Sequence, residues 1–324
     1  MPIARLSLRS ALTLALVCAA GALHAQAYPS KPVRVVVPFP PGAGADITTR
    51  LVTPRLSEAF GQQFVVDNRP GAAGHIGGEI VAHSPADGYT LLSTPASIVI
   101  SESLYKKLTY KLERDLEPVG MMASTPFILV VHPSLPVKTV KEFIALAKQK
   151  PGQLLFASTG NGGTPHLAME IFMLQTHTRL VHVPYKGTPP AVTDVMSGQV
   201  QTMFANTLSV LPHIKSGRLR AVAIGGAKRS AATPDIPTVS ESGVPGFEAI
   251  TWFGVLAPAG TPRDIVNRVN AEITRAVNTP DVRDKLVSQG ADPFTMTPEQ
   301  FRKFFSAEIA KWTRAVKAAG VTLE

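Results

Sequence analysis

Apolar residues in this chain occur in short blocks, and amphipathic segments long enough to form helices separate most of them. The first block, residues 33–37, is almost continuously β-branched, which is typical of a parallel strand buried on both faces. Prolines and glycines in residues 38–44 end this strand, and a helical pattern follows them. The same order of strand, loop and helix recurs further along the chain.

The other blocks give the remaining predicted elements. The predicted strands are residues 65–66, 89–93, 154–158, 200–204, 219–225 and 252–257. The predicted helices are residues 79–83, 140–148, 164–174, 263–278, 281–289 and 298–319. Thr164 and Pro165 are predicted as the N-cap and first residue of their helix. This alternation predicts an α/β fold with parallel sheets.

Two long apolar segments, residues 121–131 and 251–257, flank the middle third of the chain. We interpret them as crossovers between a discontinuous first domain, residues 28–124 and 253–324, and an inserted second domain, residues 125–252. Roughly 300 residues suit two domains of about 150 each. This architecture predicts a ligand cleft at the carboxyl ends of strands from both domains.

Two glycine-rich loops have the composition of anion-binding loops. The first loop, residues 40–46, leads into a helix whose free N–H groups and positive dipole end point back into the loop. The second loop, residues 158–164, repeats this arrangement and adds hydroxyl and amide side chains, among them Ser158, Thr159 and Asn161. Two such loops facing one another would hold a carboxylate from both sides.

Each loop also has an alternative interpretation as a tight connection between a strand and a helix. A dinucleotide fingerprint fits the first loop poorly, because Ile47 stands where the third glycine is required. A nucleotide P-loop is excluded, because neither loop is followed by Gly-Lys and a hydroxyl residue.

The first 27 residues have the pattern of a secretory leader. Arg5 and Arg9 form a basic region, residues 11–20 are apolar, and an A-x-A site ends at Ala27, where we predict cleavage. The chain's single cysteine, Cys18, lies inside this leader, and its alternative role would be that of a lipidated residue. The pattern predicts a periplasmic protein without disulfides or cysteine-ligated metals.

Charge and scattered polar residues exclude few function classes by themselves. The formal net charge of +9 is spread along the chain, which disfavours a nucleic-acid surface and suits attraction of anions. His166 and Glu170 are spaced for one helix face, but no third metal ligand has matching spacing, so a capping or structural role suits His166 better. A Ser-His-Asp set is possible in principle, although the chain has no nucleophile-elbow motif.

Eight segments, taken together, resemble the Bug family of extracytoplasmic solute receptors, which are associated with tripartite tricarboxylate transporters. They are VRVVVPFPPGAGAD (33–46), VVDNRPGAAGHIG (65–77), SPADGYTLL (84–92), FASTGNGGTPHLAMEIF (156–172), VHVPYKGTPPAVTDVMSGQV (181–200), LPHIKSGRLRAVAI (211–224), PDIPTVSESGVPGFE (234–248) and WFGVLAPAGTP (252–262). The resemblance runs in order through nearly the whole chain behind the leader.

The resemblance implies a two-domain periplasmic-binding-protein fold, type II-like, with parallel or mixed sheets flanked by helices and a ligand cleft that closes by hinge motion. It also implies carboxylate capture by the backbone of the two loops, with Lys186, Gly187 and the residue after strand 200–204 lining the cleft. The candidate ligand-binding residues are Phe39, Pro41, Gly42, Ala43, Gly44, Ala45, Asp46, Thr94, Ser158, Thr159, Gly160, Gly162, Gly163, Thr164, His166, Lys186, Gly187 and Asn206.

Two positions depart from the family pattern. Ala43 stands where a second glycine is usual, and its methyl group narrows the loop while its N–H remains. Ala205 stands where an aspartate is frequent, so a cationic ligand group such as an amine is disfavoured.

The sequence therefore predicts a monomeric, non-catalytic periplasmic receptor for a small carboxylate, with neither cofactor nor metal. Its partners would be the membrane subunits of a tripartite tricarboxylate-type transporter or a sensor kinase. One alternative is a receptor for an aromatic or amide ligand such as nicotinate, and another is a periplasmic enzyme on the same fold.

Overall fold

A computed structural model describes residues 28–102, 104–105 and 107–319, and the predicted leader with Cys18 lies outside these residues. The strands are β1 (Val33–Val37), β2 (Phe64–Asn68), β3 (Thr90–Pro95), β4 (Leu116–Val131), β5 (Leu155–Ser158), β6 (Val181–Pro184), β7 (Thr202–Asn206), β8 (Arg220–Ile224), β9 (Ile250–Pro258) and β10 (Asp292–Pro293).

The helices cover both faces of the sheet strands and follow most of them in the chain. They are α1 (Gly44–Phe60), α2 (His75–Ala82), α3 (Ser97–Ser101), α4 (Leu112–Asp115), α5 (Val140–Gln149), α6 (Thr164–Thr176), α7 (Thr188–Met196), α8 (Thr207–Lys215), α9 (Arg263–Asn278), α10 (Pro280–Ser288) and α11 (Pro298–Ala319). Among the described helices, none is both long and apolar enough to cross a bilayer.

The strands form one mixed sheet in the order β2-β1-β3-β9-β4-β7-β5-β6, and β8 and β10 also pair with β4. Strand β1 runs parallel to β2 and β3, and β5 runs parallel to β6 and β7. The pairs that involve β4 or β9 are antiparallel. The predicted α/β fold with parallel or mixed sheets is confirmed, and the antiparallel pairs correct the simpler expectation of parallel sheets alone.

The long strand β4 connects the two halves of this sheet. Its first part, Leu116 to Pro126, pairs with β9, and its last part, Phe127 to Val131, pairs with β7. Its register shifts twice along β9, between Pro118 and Gly120 and again further on, as expected where a strand bends. The long apolar segment 121–131 therefore lies within one strand that is shared by two groups of neighbours.

Separate hydrophobic clusters fill the two halves. Val33, Val52 and Ile273 belong to a cluster between α1, α9 and the strands around β1. Phe143, Phe172 and Phe204 belong to another, in which Phe172 packs edge-on against Phe204 at 6.0 Å between ring centres. The packed halves of the sheet place the ends of β1, β5 and β7 at one cleft.

Candidate functional site

The first loop follows β1 and is fixed by a buried carboxylate. Gly42 has φ +82°, a conformation that side chains rarely adopt, and its N–H donates to Asp46 Oδ2 at 3.0 Å. Asp46 Oδ1 accepts from Arg50 Nε and from Asn68 Nδ2, each at 2.9 Å. Because Asn68 also donates to the carbonyl of Phe39, both ends of the loop are tied to one network.

The N-terminus of α1 leaves backbone donors facing the cleft. The first intrahelical hydrogen bond runs from Ile47 N to Ala43 O at 3.0 Å, so the N–H groups of Gly44 and Ala45 have no acceptor within the helix. The N-cap residue, Ala43, has no side chain that caps them. These donors carry the positive end of a 17-residue helix dipole.

The second loop ends in the same way at α6. Gly163 is the N-cap, one residue before the predicted Thr164, and it makes no side-chain cap. The first helical bond runs from Leu167 N to Gly163 O at 3.1 Å, so the N–H of Thr164 has no acceptor within the helix. Pro165 has no N–H to satisfy, which suits the first turn.

Two further helices begin at the same cleft. Helix α7 starts after Gly187, whose φ is +112°, and Pro189 and Pro190 leave Thr188 as the N–H donor of its first turn. Helix α8 has Asn206 as its N-cap, and Asn206 Oδ1 accepts from Leu208 N at 3.1 Å.

The four helix starts surround a small inner cavity of about 40 Å³. It is lined by Phe39, Ala43, Gly44, Ala45, Pro95, Ser97, Phe127, Thr159, Thr164, Pro165, Thr188, Asn206, Thr251 and Phe253. At about 10–15 Å³ for each water-sized position, the cavity has room for a few such positions, and so for a group as small as a carboxylate.

No cationic side chain lines the inner cavity among the described residues. None of its lining residues in the described chain is charged. Its potential therefore comes from the dipole ends of α1, α6, α7 and α8 and from hydroxyl and amide groups, an arrangement that favours a bound anion.

An outer chamber of about 200 Å³ adjoins the inner cavity and shares Phe39 and Thr159 with it. Its other lining residues are Pro40, Pro70, Gly71, Ala72, Ala73, Gly74, Tyr105, Gly160, Asn161, Pro184, Tyr185, Lys186 and Gly187. Aromatic rings and prolines make most of its wall apolar. Lys186 is the one charged residue among those that line it.

Groups from the two halves of the molecule meet across this cleft. Ser209 Oγ donates to Gly42 O at 3.3 Å, and Tyr105 Oη donates to Asn161 O at 3.3 Å. Gly44 approaches Asn206 so closely that a Cβ there would lie 2.9 Å from the amide Cγ. The cleft is thus narrow, and both loops face it.

The structure divides the predicted site residues into two sets. Those that line a cavity are Phe39, Ala43, Gly44, Ala45, Thr159, Gly160, Thr164, Lys186, Gly187 and Asn206. Those that line neither are Pro41, Gly42, Asp46, Thr94, Ser158, Gly162, Gly163 and His166. Among the second set, Asp46 supports the first loop, and Thr94 is fully buried in β3 beside the lining residue Pro95. Ligand contact by any of them stays a prediction.

Sequence reasoning missed several lining residues. Phe127, Thr251 and Phe253 come from the paired strands β4 and β9 at the floor of the cleft, and Tyr105 comes from a connection after α3. Thr188 was detectable, since it follows Gly187 and precedes two prolines as a helix start would.

Ala205 has a different environment from the one expected. Its side chain is fully buried in the cluster formed by Ile128, Ala157 and neighbouring residues, and it lines neither cavity. Because Ala205 lines neither the inner cavity nor the outer chamber, it gives no direct reason to exclude a cationic ligand group. Instead, the residues that line the inner cavity include no carboxylate that could pair with such a group.

A groove outside the cleft is less suited to an anion site. A groove of about 480 Å³ near His177 and Arg179 lies at the C-terminal end of α6, where the helix dipole is negative.

In the described parts of the chain, no group of three or more His, Cys, Asp or Glu residues comes together to hold a metal ion. His166 Nε2 lies 3.5 Å from Glu170 Oε1 without a third such partner nearby.

An α/β fold with a cleft between paired loops at helix N-termini defines a periplasmic-binding-protein type of molecule. The model of the tripartite tricarboxylate transporter family receptor, TctC, matches residues 48–321, and this chain belongs to that family. The family consists of periplasmic solute-binding receptors. The resemblance to Bug proteins is confirmed, because Bug proteins are among the relatives that match most of this chain.

Individual relatives agree with this assignment. BugT of Bordetella pertussis is 40% identical over 307 residues, which cover 94% of this chain and 94% of BugT. The solved structure of Rpa4515 from R. palustris with adipate is 37% identical, with a TM-score of 0.88, and the match covers 91% of this chain and 99% of that one. MatC (Rpa3494) from Rhodopseudomonas palustris, with bound malate, is 31% identical, with a TM-score of 0.85 over 89% of this chain and all of that one.

Proposed function

We propose that this receptor captures one carboxylate group of a small organic acid in the inner cavity and that it binds without catalysing a reaction. The observation that carries the proposal is the convergence of four helix N-termini on a cavity with no charged lining residue. Backbone N–H groups satisfy a carboxylate without a counter-charge, and hydrogen bonds to a charged group contribute about 1.5–3 kcal/mol each. The two relatives solved with adipate and with malate hold carboxylates, which supports this ligand class.

The outer chamber would hold the rest of the ligand. Its apolar wall suits a hydrocarbon chain or a ring, and the ammonium group of Lys186 suits a second anionic group. Phe39, Tyr105 and Tyr185 line the same wall, so an aromatic acid is the second candidate.

We also propose the domain division 28–124 and 253–324 against 125–252, with closure around the carboxylate. The pairing of β4 supports it, because the strand changes neighbours from β9 to β7 between Pro126 and Phe127. A carboxylate held by donors from both loops would favour the closed form, since only that form satisfies both sets.

We also propose a cellular role, which membership of the family supports. The leader would be cleaved after Ala27, and the monomeric receptor would deliver its ligand to the membrane subunits of a tripartite tricarboxylate-type transporter or to a sensor kinase. Mass spectrometry of the periplasmic protein tests the leader: an N-terminus at Tyr28 is expected, and an intact Met1 or a lipid on Cys18 would contradict it.

A ligand screen tests the proposed function. Residues 28–324 are heated in the presence of adipate, malate, citrate, benzoate and nicotinate, with the uncharged amide of adipate as a matched control. A bound acid at 100 times its Kd adds about 2.7 kcal/mol to the free energy of unfolding, while the amide should add nothing. Equal stabilisation by the acid and its amide, or chemical turnover of a bound acid, would overturn the proposal.

A further inference from the structure

Two stacked histidines are each hydrogen-bonded to the second loop. The rings of His166, on α6, and His182, on β6, are 3.9 Å apart between centres and almost parallel, with 8° between their planes. His182 also stacks on Phe156 of β5, at 4.8 Å and 18°. His166 is buried and His182 is half-buried.

Each ring has a hydrogen bond to the second loop. The N–H of Gly162 donates to His166 Nδ1 at 3.2 Å. His182 Nε2 lies 2.6 Å from Ser158 Oγ, and that hydroxyl also accepts from the N–H of Gly160 at 3.1 Å. The two imidazoles therefore fix the loop at both ends of its glycine-rich part, although neither ring lines a cavity.

The contact at Gly162 determines the form of His166. An N–H can donate only to an unprotonated ring nitrogen, so His166 carries its proton on Nε2, which faces Glu170 Oε1 at 3.5 Å. A second proton on His166 would remove the acceptor of Gly162.

A charge on His182 would be equally unfavourable. Burial first, and the neighbouring His166 second, lower the pKa of His182 to about 3. Its ring stacks on Phe156 and on His166 and shares a hydrogen bond with the hydroxyl of Ser158, and none of these three groups is an anion that would compensate a charge. Glu170 faces His166 on α6 and, among the described residues, is the carboxylate in contact with the pair.

We infer that His166 and His182 are positioning residues, a neutral imidazole pair that holds residues 158–163 in the conformation that presents the second loop to the inner cavity. This role rests on the proposed function for its effect on affinity, but the hold on the loop is a separate property.

Four substitutions separate hydrogen bonding from ring stacking. His166→Asn keeps an acceptor near the Nδ1 position, and His182→Gln keeps a polar atom near the Nε2 position. His166→Phe and His182→Phe keep an aromatic ring for stacking and remove the hydrogen bonds. We expect the two Phe variants to bind adipate at least tenfold more weakly and the Asn and Gln variants to stay within about threefold of the parent protein.

Readouts without ligand make the test independent of the proposed function. We expect nitrogen NMR to show an unprotonated Nδ1 on His166 and no titration of His182 between pH 8 and pH 5. We expect faster amide exchange at Gly160 in His182→Phe and at Gly162 in His166→Phe, with folding checked by circular dichroism.

The positioning role and the proposed function are contradicted by different results. Unchanged exchange and affinity in both Phe variants, or a His182 that titrates near pH 6.5, would overturn the positioning role. Failure of the parent protein to bind any acid in the screen would instead contradict the proposed function, while the exchange data would still decide whether the pair holds the loop. A variant that does not fold is replaced in the comparison by Ser158→Ala, which removes the hydroxyl between His182 and Gly160.

Discussion

The carboxylate of Asp46 accepts the backbone N–H of Gly42 at 3.0 Å, so this acid closes the first loop onto the helix that follows it. The side chain of Asp46 is 4% exposed and is paired with Arg50. A negative group this close to an anion site would weaken binding if it faced the cavity, but its oxygens are taken up by the loop, Arg50 and Asn68. Asp46 therefore shapes the site from outside it.

Removing that carboxylate should loosen the first loop. Asp46→Ala leaves the N–H of Gly42 without its acceptor and the guanidinium of Arg50 with Asn68 but no carboxylate. We therefore expect at least tenfold weaker acid binding and a loss of about 1–3 kcal/mol of stability. Calorimetric titration and urea denaturation measure the two effects. Asp67→Ala is the matched control: Asp67 pairs with Arg34 and Arg69 away from both cavities, and its loss should change stability alone. Equal effects on affinity in both variants would contradict a specific role for Asp46.

A side chain at Gly44 should obstruct the cleft. A Cβ there would lie 2.9 Å from Asn206 Cγ and 3.0 Å from Phe253 Cζ, both tighter than ordinary contacts. We expect Gly44→Val to weaken acid binding more than tenfold, measured by calorimetric titration, with a smaller effect on melting temperature. Shortening the opposite side chain in Gly44→Ala/Asn206→Ala should recover part of the affinity that Gly44→Ala loses. Normal affinity in Gly44→Val would make this loop a simple connection.

The hydroxyl of Thr159 is a side-chain donor whose contact with a ligand can be tested directly. Thr159 lines both cavities, and a Cβ at Gly163 would lie 2.9 Å from its Oγ1. Thr159→Val keeps the shape and deletes the hydroxyl, which should cost about 1–3 kcal/mol of binding free energy if the hydroxyl contacts the acid. Thr159→Ser should retain most of the affinity. Equal binding by all three proteins in a titration would leave the backbone as the donor of this loop.

Closure should be visible in solution and should depend on Gly187. A Cβ at Gly187 would lie 2.5 Å from Pro40 Cγ across the cleft. We expect a bound acid to reduce the radius of gyration in X-ray scattering of the parent protein but much less in Gly187→Ala. Because φ at Gly187 is +112°, Gly217→Ala serves as the control for backbone strain, since Gly217 has φ +73° and no atom within 4 Å of its Cβ position. A radius that is the same with and without acid would contradict hinge closure.

Acid should destabilise the fold through His182. Its pKa in the folded protein is about 3, below the ordinary value of 6.5, because burial disfavours the charged ring. Between these pH values the unfolded chain binds a proton at His182 that the folded chain does not. The contribution of His182 to the free energy of unfolding is therefore at its full value above pH 6.5 and is lost as the pH falls toward 3. Urea denaturation at pH 7 and pH 4.5 should show a smaller pH dependence in His182→Gln than in the parent protein. An unchanged pH dependence in that variant would contradict this assignment.

The sequence predicted the strand and helix order well because its signals are local. Four of the five residues in 33–37 are buried, β-branched valines, and the last helix begins at Pro298 as predicted. The start of α6 was one residue off, because Thr164 is a common N-cap type, whereas Gly163 takes the extended conformation here. The antiparallel pairs of β4 and β9 were not predictable in this way, since pairing depends on contacts between residues far apart in the chain.

The candidate site was predictable as two loops but not as a cavity. Glycines and helix starts in the sequence located Gly44 and Thr164, which line the inner cavity. The sequence did not show that Asp46 and His166 point toward the supporting structure, because both follow the loops at spacings that suit either orientation. Phe127 and Phe253 were missed because an apolar residue in a strand gives no sign of which face meets a ligand.

The main-chain donors of the inner cavity have a consequence for how this receptor can change over generations. A point substitution can delete a side chain, but only proline removes a backbone N–H, so substitutions that leave the loop conformation unchanged keep the donors of Gly44 and Thr164 in place. The outer chamber is built partly from exchangeable side chains, such as Tyr105 and Lys186. Under the proposed function, new acids would be accepted by altering those walls while the inner cavity holds the carboxylate as before.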